Sequence, residues 1–108
     1  MRVLLVGVGT VGEAIARLTA ERDFCTFMVL ADRDEARAAA VAAAIGRPDR
    51  FVASGIDARD SAAIAEMARQ HRVDLILNSV DPTFVMPIFE AALGAGVDYM
   101  DKIGRAHV

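Results

Sequence analysis

Three glycines and one aspartate carry the chemistry most open to this chain. Gly7, Gly9 and Gly12 are spaced Gly-x-Gly-x-x-Gly and follow directly on the apolar run Val3-Leu4-Leu5-Val6. A second apolar run further on ends at Asp32. In that arrangement Gly7 permits a tight turn off a strand. Gly9 lets the backbone approach a pyrophosphate, and Gly12 lets a helix pack closely on a sheet. Backbone N–H groups around Thr10 and Val11 then face the phosphates, aided by the partial positive charge of a helix N-terminus. A carboxylate at Asp32 accepts hydrogen bonds from both hydroxyls of the adenosine ribose, which favours NAD. Arg33 supplies a guanidinium that can pair with a 2′-phosphate, and so leaves NADP open. The expected ligand is a nicotinamide dinucleotide, NAD or NADP, with the lean towards NAD.

Further polar residues cluster after later strands. Asp57 follows the third apolar run, where side chains border an adenine pocket; it serves equally well as a turn-forming aspartate. Asn78, Ser79, Val80 and Asp81 follow the fourth, on the carboxyl-end side where open α/β sheets bind ligands. Asp81 also fits a simple cap before Pro82. His71 sits between Arg69 and Arg72 at a helix end, where a cation is favourable without any catalytic role. Cys25 is the only cysteine; it excludes an internal disulfide and reads as a packed or surface thiol. Met67, Met86 and Met100 read as core filler. No metal-ligand spacing appears, and no catalytic residue is identified.

The elements that must position these groups alternate throughout. Strands are expected at Arg2 to Val6, Phe27 to Ala31, Arg50 to Ala53, Asp74 to Asn78 and Val97 to Met100. Helices are expected from Thr10 to about Arg22, from a cap at Asp34 to Ile45, from a cap at Asp60 or Ser61 to about His71, and from a start between Thr83 and Pro87 to Gly94 or Gly96. In the first helix Val11, Ile15, Leu18 and Thr19 fall at helical spacing and are expected inward. Ile64, Met67 and Ala68 are expected inward on the third, and Ile88, Phe89, Ala92 and Leu93 on the fourth. The short continuous apolar strands suit a parallel sheet covered on both faces. The fold class is therefore α/β, a Rossmann-like doubly wound parallel sheet of five strands in order 3-2-1-4-5, in three αβα layers.

Composition narrows the rest. The chain has 108 residues, is 55% apolar and 25% charged, and carries a net charge of −3. It can bury a core as one domain. Its acidic balance argues against non-specific nucleic-acid or anionic-membrane partners. No run approaches a signal-peptide core or a membrane span, so a cytoplasmic location is expected. A homodimer is an assembly open to it.

Val6-Gly7-Val8-Gly9-Thr10-Val11-Gly12, Ala31-Asp32-Arg33 and Gly55-Ile56-Asp57 together resemble the N-terminal NAD(P)-binding domain of the saccharopine dehydrogenase family. The resemblance strengthens at Leu77-Asn78-Ser79-Val80-Asp81-Pro82 and at Ala95-Gly96-Val97-Asp98-Tyr99-Met100-Asp101. It implies a nicotinamide-dependent oxidoreductase acting at the carbon–nitrogen bond of a secondary amine, with a small amino-acid or polyamine substrate. It implies cofactor contacts from Gly9, Thr10, Val11, Asp32, Arg33, Asp57, Asn78 and Val80, and places Tyr99 and Asp101 near the nicotinamide end. Two other classes share the glycine motif: a nucleotide-sensing regulatory module such as those of potassium transport, and another dehydrogenase such as one acting on a semialdehyde. The loop from Asn78 to Pro82 and the Tyr99/Asp101 ending favour the first reading.

The resemblance covers residues 1–101. Residues 102–108 can be back-translated, all but their first base, into a common short-read sequencing adapter. The expectation is therefore a partial cofactor domain over 1–101, a non-native tail over 102–108, and a truncated chain whose substrate domain is absent. Such a fragment should bind nucleotide weakly and turn over nothing by itself.

Overall fold

The computed structural model describes residues 1–101 and the backbone of residues 106–107. Strands β1 (Arg2–Val6), β2 (Phe27–Asp32), β3 (Phe51–Gly55), β4 (Leu75–Asn78) and β5 (Asp98–Asp101) alternate with helices α1 (Thr10–Ala20), α2 (Glu35–Ile45), α3 (Ser61–Gln70) and α4 (Val85–Ala95). These five strands are parallel and ordered β3-β2-β1-β4-β5, as the sequence pattern requires. One addition was not foreseen. A two-residue strand, β6 (Ala106–His107), pairs antiparallel with β5. It falls within the stretch expected to be a foreign tail, most of which lies outside the described residues.

Strand side chains alternate between two cores. Val3 and Leu5 of β1 join Met28, Leu30 and Phe51 under α1 and α2, where Ala16, Ala38 and Val41 are buried. Leu4 and Val6 join Val29, Ile76 and Tyr99 on the other face, under α3 and α4, with Ile64, Ala68, Ile88 and Ala92. Both faces are therefore covered, which is why the strands read as unbroken apolar runs.

Three expectations about the helices need correction. The buried face of α1 is Gly12, Ala16, Thr19 and Ala20, while Val11 and Leu18 are exposed. This helix lies so close to the sheet that only small residues fit beneath it, so the larger apolar positions turn outward. On α4 Ile88, Ala91 and Ala92 are buried, but Leu93 is exposed. Met86 is exposed too and is not core filler. Cys25 is the packed thiol expected: its Sγ donates to the Phe27 carbonyl at 3.4 Å, and burial pushes the thiol pKa above its ordinary value.

The caps follow the sequence signals. Asp34 and Asp60 each accept a hydrogen bond from the backbone three residues on, at 3.1 and 3.0 Å. The C-terminal end of α1 is held from outside. Arg50 donates to the carbonyls of Thr19, Ala20, Arg22 and Cys25 at 2.9–3.2 Å, and Arg47 joins it on Ala20. Among the described residues no helix is long and apolar enough to cross a membrane.

Candidate functional site

Parallel pairing brings the chemistry to one edge. Val6 stands beside Ala31 and Asn78, Asp32 beside Gly55, and Asn78 beside Asp101, so the carboxyl ends of β1 to β5 are level. The chain leaves β1 towards β2 on one side and reaches β4 on the other. The crevice where such an order reverses is where open α/β sheets bind ligands.

The turn off β1 is built by glycines with different duties. Gly7 has φ of +100°, which side chains rarely adopt, and a Cβ there would lie 2.5 Å from Val80 Cγ1. A Cβ on Gly12 would collide with the Gly7 carbonyl oxygen, so α1 starts pressed against its own approach loop. Gly9, the N-cap of α1, has no atom within 4 Å of where a Cβ would stand. Its missing side chain therefore serves no packing need. Unlike α2 and α3, α1 has no side-chain cap, so no capping side chain takes up the first N–H groups of this helix.

Asp32 ties this loop to the second strand. Its Oδ2 accepts from Val8 N–H at 2.6 Å and its Oδ1 from Asp34 N–H at 2.8 Å. Each oxygen keeps a lone pair for a further donor. The Val8 carbonyl is held from the other side by Arg37 Nε at 2.5 Å, and Arg37 also lies 3.7 Å from Glu13.

A cleft of about 210 Å³ opens beside this loop, lined by Gly7, Asp32, Arg33, Asp57 and Val80 among the expected residues. Ile56, Ala58 and Phe84 give it apolar walls, and Arg59 lines it as well. Asp57 plays the turn role and faces the cleft as well. Its Oδ1 accepts from Arg59 N–H at 2.9 Å, and its carboxylate takes a bidentate pair of bonds from the Arg59 guanidinium at 3.1 Å each. Those side-chain bonds, then the backbone bond, hold the Asp57 carboxyl below its ordinary pKa. Arg33 makes no hydrogen bond or ion pair among the described residues.

Asn78 and Ser79 stand behind the cleft. Asn78 is buried, donates from Nδ2 to the Tyr99 hydroxyl at 3.0 Å, and accepts from Val80 N–H at 2.9 Å. Ser79 is buried with its hydroxyl unpartnered, close to where Gly12 would carry a Cβ. Tyr99 is 1% exposed and packs edge-on to Phe89 at 5.4 Å; Asp101 is buried at the end of β5. Neither lines the cleft; Tyr99 is linked through Asn78 to Val80, which does. Asp81 caps a single 3-10 turn, Pro82–Phe84, accepting from Thr83 N–H at 3.0 Å. His71 caps α3 and stacks on Phe27 at 5.9 Å, away from the cleft. Among the described residues no group of three His, Cys, Asp or Glu is placed to hold a metal ion.

Sequence reasoning missed Arg37, Arg59, Ile56 and Phe84. Arg59 had a signal, two residues past an aspartate at a strand exit. Arg37 had none, because its partner is a backbone carbonyl 29 residues away.

A doubly wound sheet with an uncapped helix N-terminus, a glycine turn and a carboxylate at the second strand tip defines the dinucleotide-binding class of α/β domain. The family model for the saccharopine dehydrogenase NADP binding domain matches residues 3–107, and the chain belongs to that family. A carboxyaminopropylagmatine dehydrogenase from Synechocystis sp. is 32% identical over 100 residues, which is 93% of this chain and 25% of that protein. The chain thus spans about a quarter of the length of this curated relative. Apo saccharopine dehydrogenase (L-Glu forming) from Saccharomyces cerevisiae superposes with a TM-score of 0.76 at 23% identity, over 93% of this chain and 21% of that one. Quinate dehydrogenase from Corynebacterium glutamicum, in complex with NAD, gives a TM-score of 0.57 at 30% identity, over 77% and 29%.

Proposed function

We propose that this chain is the cofactor domain of an NAD(P)-dependent oxidoreductase acting at the carbon–nitrogen bond of a secondary amine. The observation that carries the reading is the open space at Gly9, beside a carboxylate at Asp32 and at the head of a helix that no side chain caps. The pyrophosphate would lie over Gly9, Thr10 and Val11. Asp32 would take the adenosine ribose, and the walls of Ile56, Ala58 and Phe84 the adenine. Val80, held by Asn78, would border the path towards the nicotinamide. The cofactor, when bound, supplies the hydride chemistry; the residues of this chain bind it and orient it. The names of the family and of the Synechocystis relative support an amino-acid or polyamine substrate and favour an enzyme over a nucleotide-sensing module. The substrate would be held by parts of the enzyme other than this domain.

Calorimetric titration of the 108-residue chain with NAD and NADP tests the reading. Saturable binding of at least one, weakened by a carboxylate at position 9, is the expected result. Binding that Gly9→Asp leaves unchanged would overturn the phosphate-loop assignment.

A further inference from the structure

The two arginines of the cleft are in different states. Arg33 makes no hydrogen bond or ion pair among the described residues, though its charge helps hold the Asp57 carboxyl down, whereas Arg59 is clasped on Asp57 by two side-chain bonds of 3.1 Å. Both line the same cleft as Asp32, whose carboxylate would meet the adenosine ribose. A 2′-phosphate on that ribose would enter a space bounded by Asp32, Arg33, Asp57 and Arg59.

The Asp57–Arg59 pair is solvent-exposed, with its side chains 49% and 68% accessible. Exposed pairs of this kind contribute little to stability and are readily exchanged for another partner. A phosphate dianion is a stronger partner for a guanidinium than a carboxylate, because it offers more charge and more acceptor oxygens in a matching fork. We propose that Arg59 is a second determinant of cofactor choice, turning with Arg33 onto the 2′-phosphate of NADP, and that Asp57 competes with that phosphate for it. The NADP:NAD ratio is then set by two opposed carboxylates and two guanidiniums. Asp32 repels the phosphate directly, and Asp57 withholds one of the two arginines. This inference rests on the dinucleotide reading above and adds to it the group that discriminates.

The experiment measures dissociation constants of the full chain for NAD, NADP, 5′-AMP and adenosine 2′,5′-bisphosphate, in the original and in Arg59→Ala, Asp57→Asn and the double variant. The last two probes differ only in the 2′-phosphate. Arg59→Ala should lower the NADP:NAD affinity ratio by about tenfold, as expected for one charged hydrogen-bond donor. Asp57→Asn should raise the same ratio severalfold, a gain that damage to the fold would not produce. On the Arg59→Ala background the Asp57 substitution should give a smaller gain, because only the direct repulsion by Asp57 and its pull on Arg33 are then relieved. Ratios unchanged in all three variants, with nucleotide binding intact, would overturn the role of Arg59 and leave the dinucleotide reading standing. A gain from Asp57→Asn that is equally large with and without Arg59 would overturn the competition. Absence of binding to all four nucleotides by the original chain would overturn the dinucleotide reading itself.

Discussion

Asn78 donates a hydrogen bond from Nδ2 to the hydroxyl of Tyr99 at 3.0 Å, and both side chains are buried. The same Asn78 accepts from Val80 N–H at 2.9 Å. Tyr99, well inside the core under α3 and α4, thereby fixes the loop that borders the cleft. This relationship gives the Gly-Val-x-Tyr pattern a physical meaning: the tyrosine hydroxyl positions an asparagine.

Tyr99→Phe keeps the ring and its packing on Phe89 but removes the oxygen. Asn78 Nδ2 then loses that partner inside the core, which costs about 1–3 kcal/mol. For a domain of this size each kcal/mol lowers Tm by roughly 4–8 °C. Thermal denaturation of the variant checks this. An unchanged Tm would mean that Asn78 finds another acceptor and that the pair is not what holds the loop.

Gly9 and Gly12 should separate binding from folding. A methyl group at Gly12 meets the Gly7 carbonyl, so Gly12→Ala forces α1 away from the sheet. Overpacking of this kind costs about 1–3 kcal/mol or more. A methyl at Gly9 meets nothing, and its φ of −77° suits any residue. Gly9→Ala should therefore leave Tm within a few degrees while weakening dinucleotide binding. Denaturation and calorimetry on both variants give the two readouts. A Gly9→Ala chain that binds as well as the original would show that no ligand lies over that glycine.

The sheet order was legible because each signal was local or periodic: five apolar runs, glycine turns, and caps at Asp34 and Asp60. The glycine loop and Asp32 were legible for the same reason, since spacing alone places them at one edge of a parallel sheet. Burial on the helices was not. Val11 and Leu18 look like an inward stripe, yet Gly12 sets how closely α1 approaches the sheet. That distance admits Ala16 and Ala20 but not Leu18. The state of Asp57 was half legible. Its place at a strand exit marks it, but whether its carboxylate faces an adenine or an arginine depends on the course of the loop through Arg59. Tyr99 could be picked out from its pattern, but its role is set by a partner on β4, 21 residues earlier.

The Asp57–Arg59 clasp has a titration signature. Two guanidinium bonds hold the Asp57 carboxyl below its ordinary pKa. Arg59→Ala removes those bonds, so the Asp57 carboxyl should then titrate at a higher pH. A depressed native pKa adds stability above the unfolded-state value, and that stability is lost as pH falls through the native value. The original chain should thus show a larger acid-side loss than the variant, which keeps only the backbone bond to Asp57 and the charge of Arg33. Carboxyl NMR titration of Asp57 in the two chains is the check, and identical titration curves would mean that the clasp does not form in solution.

Asp32 and Arg33 are adjacent in sequence, yet they should act in opposite directions on cofactor choice. Asp32 is anchored, with one oxygen on Val8 N–H and the other on Asp34 N–H, so its charge is fixed at the strand tip. Arg33 has no such anchor and is free to meet a phosphate or to stay in solvent. Asp32→Ser removes the ribose acceptor and the repulsion of a 2′-phosphate together, and also loosens Val8. Binding of both cofactors should fall, but that of NAD should fall further, by about ten- to a hundredfold for a lost charged hydrogen bond. Asp32→Asn keeps an acceptor for Val8 N–H and abolishes the repulsion, at the cost of the acceptor for Asp34 N–H, so NADP should gain on NAD. Arg33→Ala should weaken NADP and leave NAD close to its original affinity. The deciding quantity is the ratio of the two dissociation constants in each variant, since damage common to both cofactors cancels in it. If Asp32→Asn left that ratio where it was, the carboxylate would serve only to hold Val8 and Asp34, and the choice between the cofactors would rest on the arginines alone.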